Sequence, residues 1–245
     1  MNILTMAERD RFFETFKKEM KGKELGNSSV VLCPPAVHVE SFVKKLKSEK
    51  VSIGGQDAFW EERGSYTGEI SSPMLKNLGA EYVIIGHSER RRYFSEINDT
   101  ANSKVKMALK NGLKVIYCVG ETSEQRQAGN TPEVIIEQVM QGLLEVPATK
   151  INSVTVAYEP VWAVGSDVIP TSNEILEVKV LIRKILADMY GLAAAEKIRI
   201  LYGGSVKAAT AEQVCLDPGM DGVLVGRESL VPQEFLKVAE IIDKN

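Results

Sequence analysis

The sequence predicts an α/β fold built on a parallel sheet, and three observations carry that reading. Short β-branched runs alternate with longer amphipathic stretches along the 245 residues, the pattern of right-handed βαβ units. The strands are continuously apolar, as in Tyr82–Gly86 (YVIIG), which suits a sheet covered on its outer face and packed within. Polar and glycine-rich clusters follow the strands directly, where α/β folds place their sites.

Taken in order, a helix opens the chain at Met6–Met20. Val30–Cys33 reads as a strand, and the helix after it, Val37–Lys47, sets Val39, Phe42, Val43 and Leu46 on one face. Val51–Ile53 and Tyr82–Ile85 are the next strands, with a helix at Thr100–Asn111. Lys114–Val119 precedes a helix near Pro132–Leu144, and Val154–Tyr158 precedes one at Ser172–Tyr190. Arg199–Tyr202 leads to a short helix at Ala209–Cys215. Val223–Val225 is the last strand, and Pro232–Ile242 the closing helix. That makes seven strands. A closed (β/α)₈ barrel needs eight, whereas a doubly wound open sheet can use seven, so periodicity leaves both folds open. With no linker or break in composition, a single domain over residues 1–245 is expected.

Composition narrows the function. A net charge of −3 gives no reason to expect nucleic acid or an anionic membrane as partner. Arg90–Arg91–Arg92 is read as a solvated helix face or a set of ion pairs in preference to a polyanion site. Cys33, Cys118 and Cys215 are odd in number and far apart, which argues against a disulfide framework or a metal site and for a reducing cytoplasm. The N-terminus shows no secretory pattern, and no apolar run approaches the ~18 residues of a membrane helix.

Three clusters bear chemistry. In Gly86–Arg91 (GHSERR), His87 ends a strand and starts a helix. The helix N-terminus disfavours an imidazolium there, so a neutral ring can donate from Nε2–H to a substrate oxygen. A capping or core histidine is the competing reading, and His38 has no comparable setting. In Ala157–Ser172, Glu159 ends an apolar strand, and desolvation would tune it as a general base. The competing reading is a surface carboxylate. The loop after it, with Pro160, Gly165 and Pro170, resembles a lid with stiff ends. Finally, Tyr202–Val206 (YGGSV) and Asp221–Leu230 (DGVLVGRESL) put glycines where backbone N–H groups can approach an anion.

Together these segments, with Gly54–Ser71 (GGQDAFWEERGSYTGEIS) and Cys118–Thr122 (CVGET), closely resemble the triosephosphate isomerase family from Met1 to the end. The resemblance implies a TIM (β/α)₈ barrel that interconverts dihydroxyacetone phosphate and glyceraldehyde 3-phosphate without cofactor or metal. That family is a standing example of a glutamate base, a neutral histidine and a closing loop, and its chemistry comes with the resemblance, since spacing alone does not supply it. It places the base on Glu159 and the electrophile on His87. Ser88 and Glu89 belong to the histidine motif, and Cys118 lies beside the site. Backbone phosphate contacts fall on Gly165, Ser205 and Gly226, and on the Arg227 N–H. A dimer loop falls on Gly64–Glu69 with Thr67 at its tip, so self-association is implied.

Three departures qualify the implication. The family's first strand ends in Asn-Trp-Lys-Met-Asn, and the match here starts at Met1-Asn2. A barrel short of its first strand, with seven parallel strands and without the substrate-binding asparagine and lysine, is therefore expected. The lid reads Gly165-Ser166-Asp167-Val168-Ile169-Pro170 where the family usually has Gly-Thr-Gly-Lys-Thr-Ala, which places Asp167 near the phosphate path. Arg227 stands where a second glycine is usual. Two classes of function remain: an aldose–ketose isomerase impaired by the missing lysine, or a catalytically silent or truncated barrel fragment. One version of the second has Met1 as a misread start, which the intact His87 and Glu159 settings favour over real degeneration.

Overall fold

The structure is a computed structural model that describes residues 1–166 and 168–244. The helices are α1 (Met6–Met20), α2 (Val39–Lys45), α3 (Ser72–Asn77), α4 (Ser88–Phe94) and α5 (Asn98–Lys110). They continue with α6 (Ser123–Gln127), α7 (Thr131–Gly142), α8 (Ser172–Tyr190), α9 (Leu192–Ala195) and α10 (Pro232–Ile242). The strands are β1 (Val30–Leu32), β2 (Val51–Gly55), β3 (Tyr82–Ile85), β4 (Lys114–Val119), β5 (Val154–Tyr158) and β6 (Ile200–Tyr202).

Six strands form one parallel sheet in chain order, β1-β2-β3-β4-β5-β6. Registers such as Val83↔Val115 and Tyr117↔Val156 bring the strand ends level. Alternate residues take opposite faces. Val83, Ile85, Val115, Tyr117 and Val156 pack outward against the helices. Ile84, Ile116, Cys118 and Ala157 form a separate inner cluster with Cys33, Leu201 and Leu224. Both faces are thus covered, which is why the strands read as continuous apolar runs.

The expected seventh strand is not formed as one. Val223 makes a single parallel bridge to Tyr202. The segment shares three backbone hydrogen bonds with β6: Asp221 N–H to Ile200 O at 2.9 Å, Tyr202 N–H to Gly222 O at 3.1 Å and Leu224 N–H to Tyr202 O at 2.8 Å. With a single bridge, these hydrogen bonds on one side do not extend into a ladder. A cavity of about 1020 Å³ lies between β1 and this segment, lined by Val31, Cys33, Leu201, Val223 and Val225.

Helix boundaries differ from expectation where caps decide them. Thr5 forms a capping box with Glu8 and fixes the start of α1. The stretch expected as one helix from Val37 begins as a 3₁₀ turn, Ala36–His38, after Pro35. The expected helix Ala209–Cys215 is instead a 3₁₀ turn, Ala208–Thr210, followed by a π-helical turn, Glu212–Leu216. Helices α3, α4 and α6 are five to seven residues long and too short for apolar periodicity to announce.

Helix α1 docks through Phe12, Phe13 and Phe16. Phe16 is fully buried and stacks on Phe12 with centroids 5.6 Å apart, and Phe13 meets Phe42 edge-on at 4.8 Å. Phe16→Ala is expected to destabilise the fold by about 3–5 kcal/mol. At ~2–4 °C per kcal/mol this lowers Tm by about 10 °C, readable by thermal circular dichroism. A shift of under ~2 °C would show that α1 is not docked in this way.

Candidate active site

The site is built at the carboxyl ends of β3, β4, β5 and β6. After β3 the backbone turns at Gly86, whose φ of +78° favours glycine and whose missing Cβ would sit 3.0 Å from the Cys118 carbonyl oxygen. His87 then caps α4, and its Nδ1 accepts from the Glu89 backbone N–H at 3.3 Å. That hydrogen bond assigns the proton to Nε2, the tautomer expected from the sequence. Nε2 faces Glu159 Oε1 at 3.0 Å. The other oxygen, Oε2, accepts from the Ser88 backbone N–H at 3.0 Å.

Glu159 follows β5 and is only 2% exposed. Its backbone N–H donates to Val119 O at 2.8 Å. Two glycines make room for it. A Cβ on Gly120 would lie 1.8 Å from the Glu159 carbonyl oxygen, and one on Gly203 would lie 2.7 Å from Glu159 Cγ. Cys118 is buried beside the carboxylate. Burial first, and the Glu159 charge second, push its thiol well above the usual range, so it stays protonated and serves as packing.

Two effects compete at His87. Burial lowers its pKa. The Glu159 carboxylate raises it through the Nε2 hydrogen bond and its charge, and the net position lies above an ordinary histidine. This opposes the neutral ring expected from the helix N-terminus. The Glu89 N–H on Nδ1 still favours neutrality, because an imidazolium has no lone pair there to accept it. The Glu89 carboxylate itself is exposed, with Oε2 3.8 Å from Nδ1.

The loop after Glu159 is anchored at both ends. Pro160 leads into a 3₁₀ turn, Val161–Ala163, whose Trp162 donates Nε1–H to Glu121 Oε1 at 2.8 Å. Tyr158 Oη donates to the same carboxylate at 3.2 Å, and Val161 N–H donates to Glu121 O at 3.0 Å. The Arg126 guanidinium covers the Trp162 ring at 3.6 Å. Glu121 is buried, and desolvation holds its pKa above the usual carboxylate value. At the far end Gln213 donates to Pro170 O at 3.3 Å, and Thr171 caps α8. Sequence reasoning singles out neither Glu121 nor Trp162, and the CVGET motif is the available signal for the first. Asp167 lies outside the described residues.

Gly165, with φ +71°, and Ser205, Gly226 and Arg227 line the same cavity as His87 and Glu159. Ser88 and Cys118 support Glu159 from behind. Thr67 stands apart, exposed on the loop between Gly64 and Gly68, where Tyr66 packs on Phe59 at 4.6 Å.

A buried carboxylate touching an imidazole at the carboxyl ends of parallel strands, beside a glycine-rich mouth, is the layout of an α/β enzyme of the acid–base class. The sequence model of the triosephosphate isomerase family matches residues 1–242. Curated triosephosphate isomerases are similar over nearly their whole length. The Dictyoglomus turgidum protein is 45% identical over 231 residues, covering 94% of this chain and 92% of the relative. Its Dictyoglomus thermophilum counterpart is 44% identical over 236 residues, covering 96% and 94%. That of Moorella thermoacetica is 46% identical over 211 residues, covering 86% and 84%. The chain belongs to the triosephosphate isomerase family.

Proposed function

We propose that this chain interconverts dihydroxyacetone phosphate and D-glyceraldehyde 3-phosphate through an enediolate, as a cytoplasmic glycolytic and gluconeogenic isomerase folded as one domain over residues 1–245. Glu159 removes a proton from the carbon beside the carbonyl. His87 donates from Nε2 to the carbonyl oxygen and shuttles protons between the two oxygens. As Glu159 swings from Ser88 N–H and His87 Nε2 toward substrate, the charge that raises the His87 pKa moves off and the ring is left neutral. The N–H groups of Gly165, Ser205, Gly226 and Arg227 hold the phosphate. The chemistry calls for no cofactor or metal, since the carbonyl acidifies the proton. The observation that carries the reading is the 3.0 Å contact between His87 Nε2 and Glu159 Oε1, in a chain of this family.

The finer architecture is a (β/α)₈ barrel open at its first-strand position, which the cavity between β1 and Val223–Val225 supports. A polypeptide of residues 1–245 alone carries no counterpart of the family's lysine. We expect it to turn over ~10²–10³-fold more slowly than its relatives, the usual loss for one preorganised charge. A coupled assay on purified protein tests this. A variant with a strand ending Asn-Trp-Lys placed before Met1 should recover the rate. Absence of turnover in both forms, with phosphate still raising Tm, would support the silent-barrel reading instead.

Self-association belongs to the same proposal. Trp60, Tyr66, Met74, Tyr93, Phe94 and Ile97 are exposed, Phe94 to 65%, and a partner surface would cover them. Sedimentation at micromolar concentration should give at least a dimer, and a monomer would refute it.

A further inference from the structure

We infer that the side chain of Arg227 is a phosphate-binding group, its guanidinium adding a formal positive charge to the backbone N–H groups assigned to the phosphate above. It rests on the functional reading for where the phosphate of a monoester substrate lies. Arg227 follows Gly226 and opens a 3₁₀ turn, Arg227–Leu230. Ser229, only 5% exposed, fixes that turn. Its N–H donates to Gly226 O at 3.0 Å, and its Oγ donates to the same oxygen at 2.6 Å. The backbone that carries Arg227 is therefore held, while the residue itself is exposed. Among the described residues its side chain makes no ion pair, hydrogen bond or ring contact.

Charge decides what such a guanidinium can do. Arg227 lines the same cavity as His87 and Glu159, and so do the carboxylates of Asp57, Glu89 and Glu228. A phosphate dianion entering there is repelled by carboxylates, and backbone N–H groups answer it with dipoles alone. The other lining cations are spent or distant. Arg90 Nε lies 2.9 Å from Asp57 Oδ2 and 3.0 Å from Glu96 Oε2, which neutralise it. Lys207 is itself engaged. Arg199 lies just before β6, at the opposite end of the strands from Glu159, which follows β5. Arg227 therefore brings the uncommitted positive charge to the glycine-rich mouth. A guanidinium offers a planar fork that matches phosphate oxygens in pairs, and an uncompensated cation draws an anion into a cleft that would otherwise repel it.

The test is calorimetric titration of the full chain with inorganic phosphate, which needs no turnover. Arg227→Gln removes the charge and keeps a polar side chain. It should weaken phosphate binding about tenfold, the usual worth of one charge-assisted contact. The gap should narrow in about 0.5 M salt, because the contact is exposed and screened. Tm without phosphate should not move, since the side chain touches nothing. KM for dihydroxyacetone phosphate should rise about tenfold with kcat within about twofold, the signature of a contact made equally in ground and transition states. Arg227→Lys restores the charge and should bind phosphate within about threefold of the parent. Equal affinity in the parent and the Gln variant overturns the inference. So does a loss that Lys does not recover, a gap that salt leaves unchanged, or a parent chain that binds no phosphate. Phosphate binding that depends on Arg227 in a chain without isomerase activity would sink the functional reading and leave this inference standing.

Discussion

Glu159→Gln is expected to abolish turnover. The amide nearly matches the carboxylate in size and keeps an oxygen for the Ser88 N–H, which holds Oε2 at 3.0 Å. The backbone clamp to Val119 O is untouched. What is lost is the ability to take a proton, and a positioned base contributes ~10²–10⁴-fold. Since no other carboxylate touches His87 Nε2 among the described residues, the upper end is expected. His87→Asn should lose less, about 10²-fold, because an amide N–H or a water can donate part of the hydrogen bond to the carbonyl. A coupled assay at matched protein concentration reads both. A Gln variant with its parent's rate would assign the base to another residue.

The second large effect comes from a residue with no side chain. Gly120→Ala would place a Cβ 1.8 Å from the Glu159 carbonyl oxygen and 2.6 Å from its carbonyl carbon. Neither is a flexible side-chain tip, so the end of β5 must move away from the end of β4. Overpacking of this kind costs about 1–3 kcal/mol, and backbone against backbone places it at the top of that range. Glu159 then shifts by ~1 Å relative to His87, worth ~10²-fold in rate. Thermal melting and the same assay check the two parts. A variant with unchanged Tm and rate would mean that the strand ends are not packed this tightly.

Much of this is legible in the sequence, for physical reasons. Strands β3, β4 and β5 are visible there because they are buried on both faces and so read as unbroken apolar runs. His87 and Glu159 stand out because each puts a polar group at the end of such a run. Val223–Val225 fails as a strand because pairing depends on neighbours, and β6 alone supplies a single bridge. The turn at Glu212–Leu216 and the short helix α4 are illegible because so few residues carry no period. Glu121 looks like any surface glutamate in one dimension. Only the fold brings Trp162 and Tyr158 onto it. Gly120 is similar, since its role lies in an atom it lacks. The barrel itself, and the assignment of roles, come from the resemblance and not from periodicity.

On the proposed mechanism Glu159, placed against His87, moves a proton on and off carbon beside a carbonyl. Incubating the protein with dihydroxyacetone phosphate in deuterated water, followed by proton NMR, tests it directly and tolerates slow turnover. Deuterium is expected to replace a single carbon-bound proton on the carbon next to the carbonyl, and Glu159→Gln to show none of this exchange. Equal exchange in both proteins, or none in either over the spontaneous background, would contradict it.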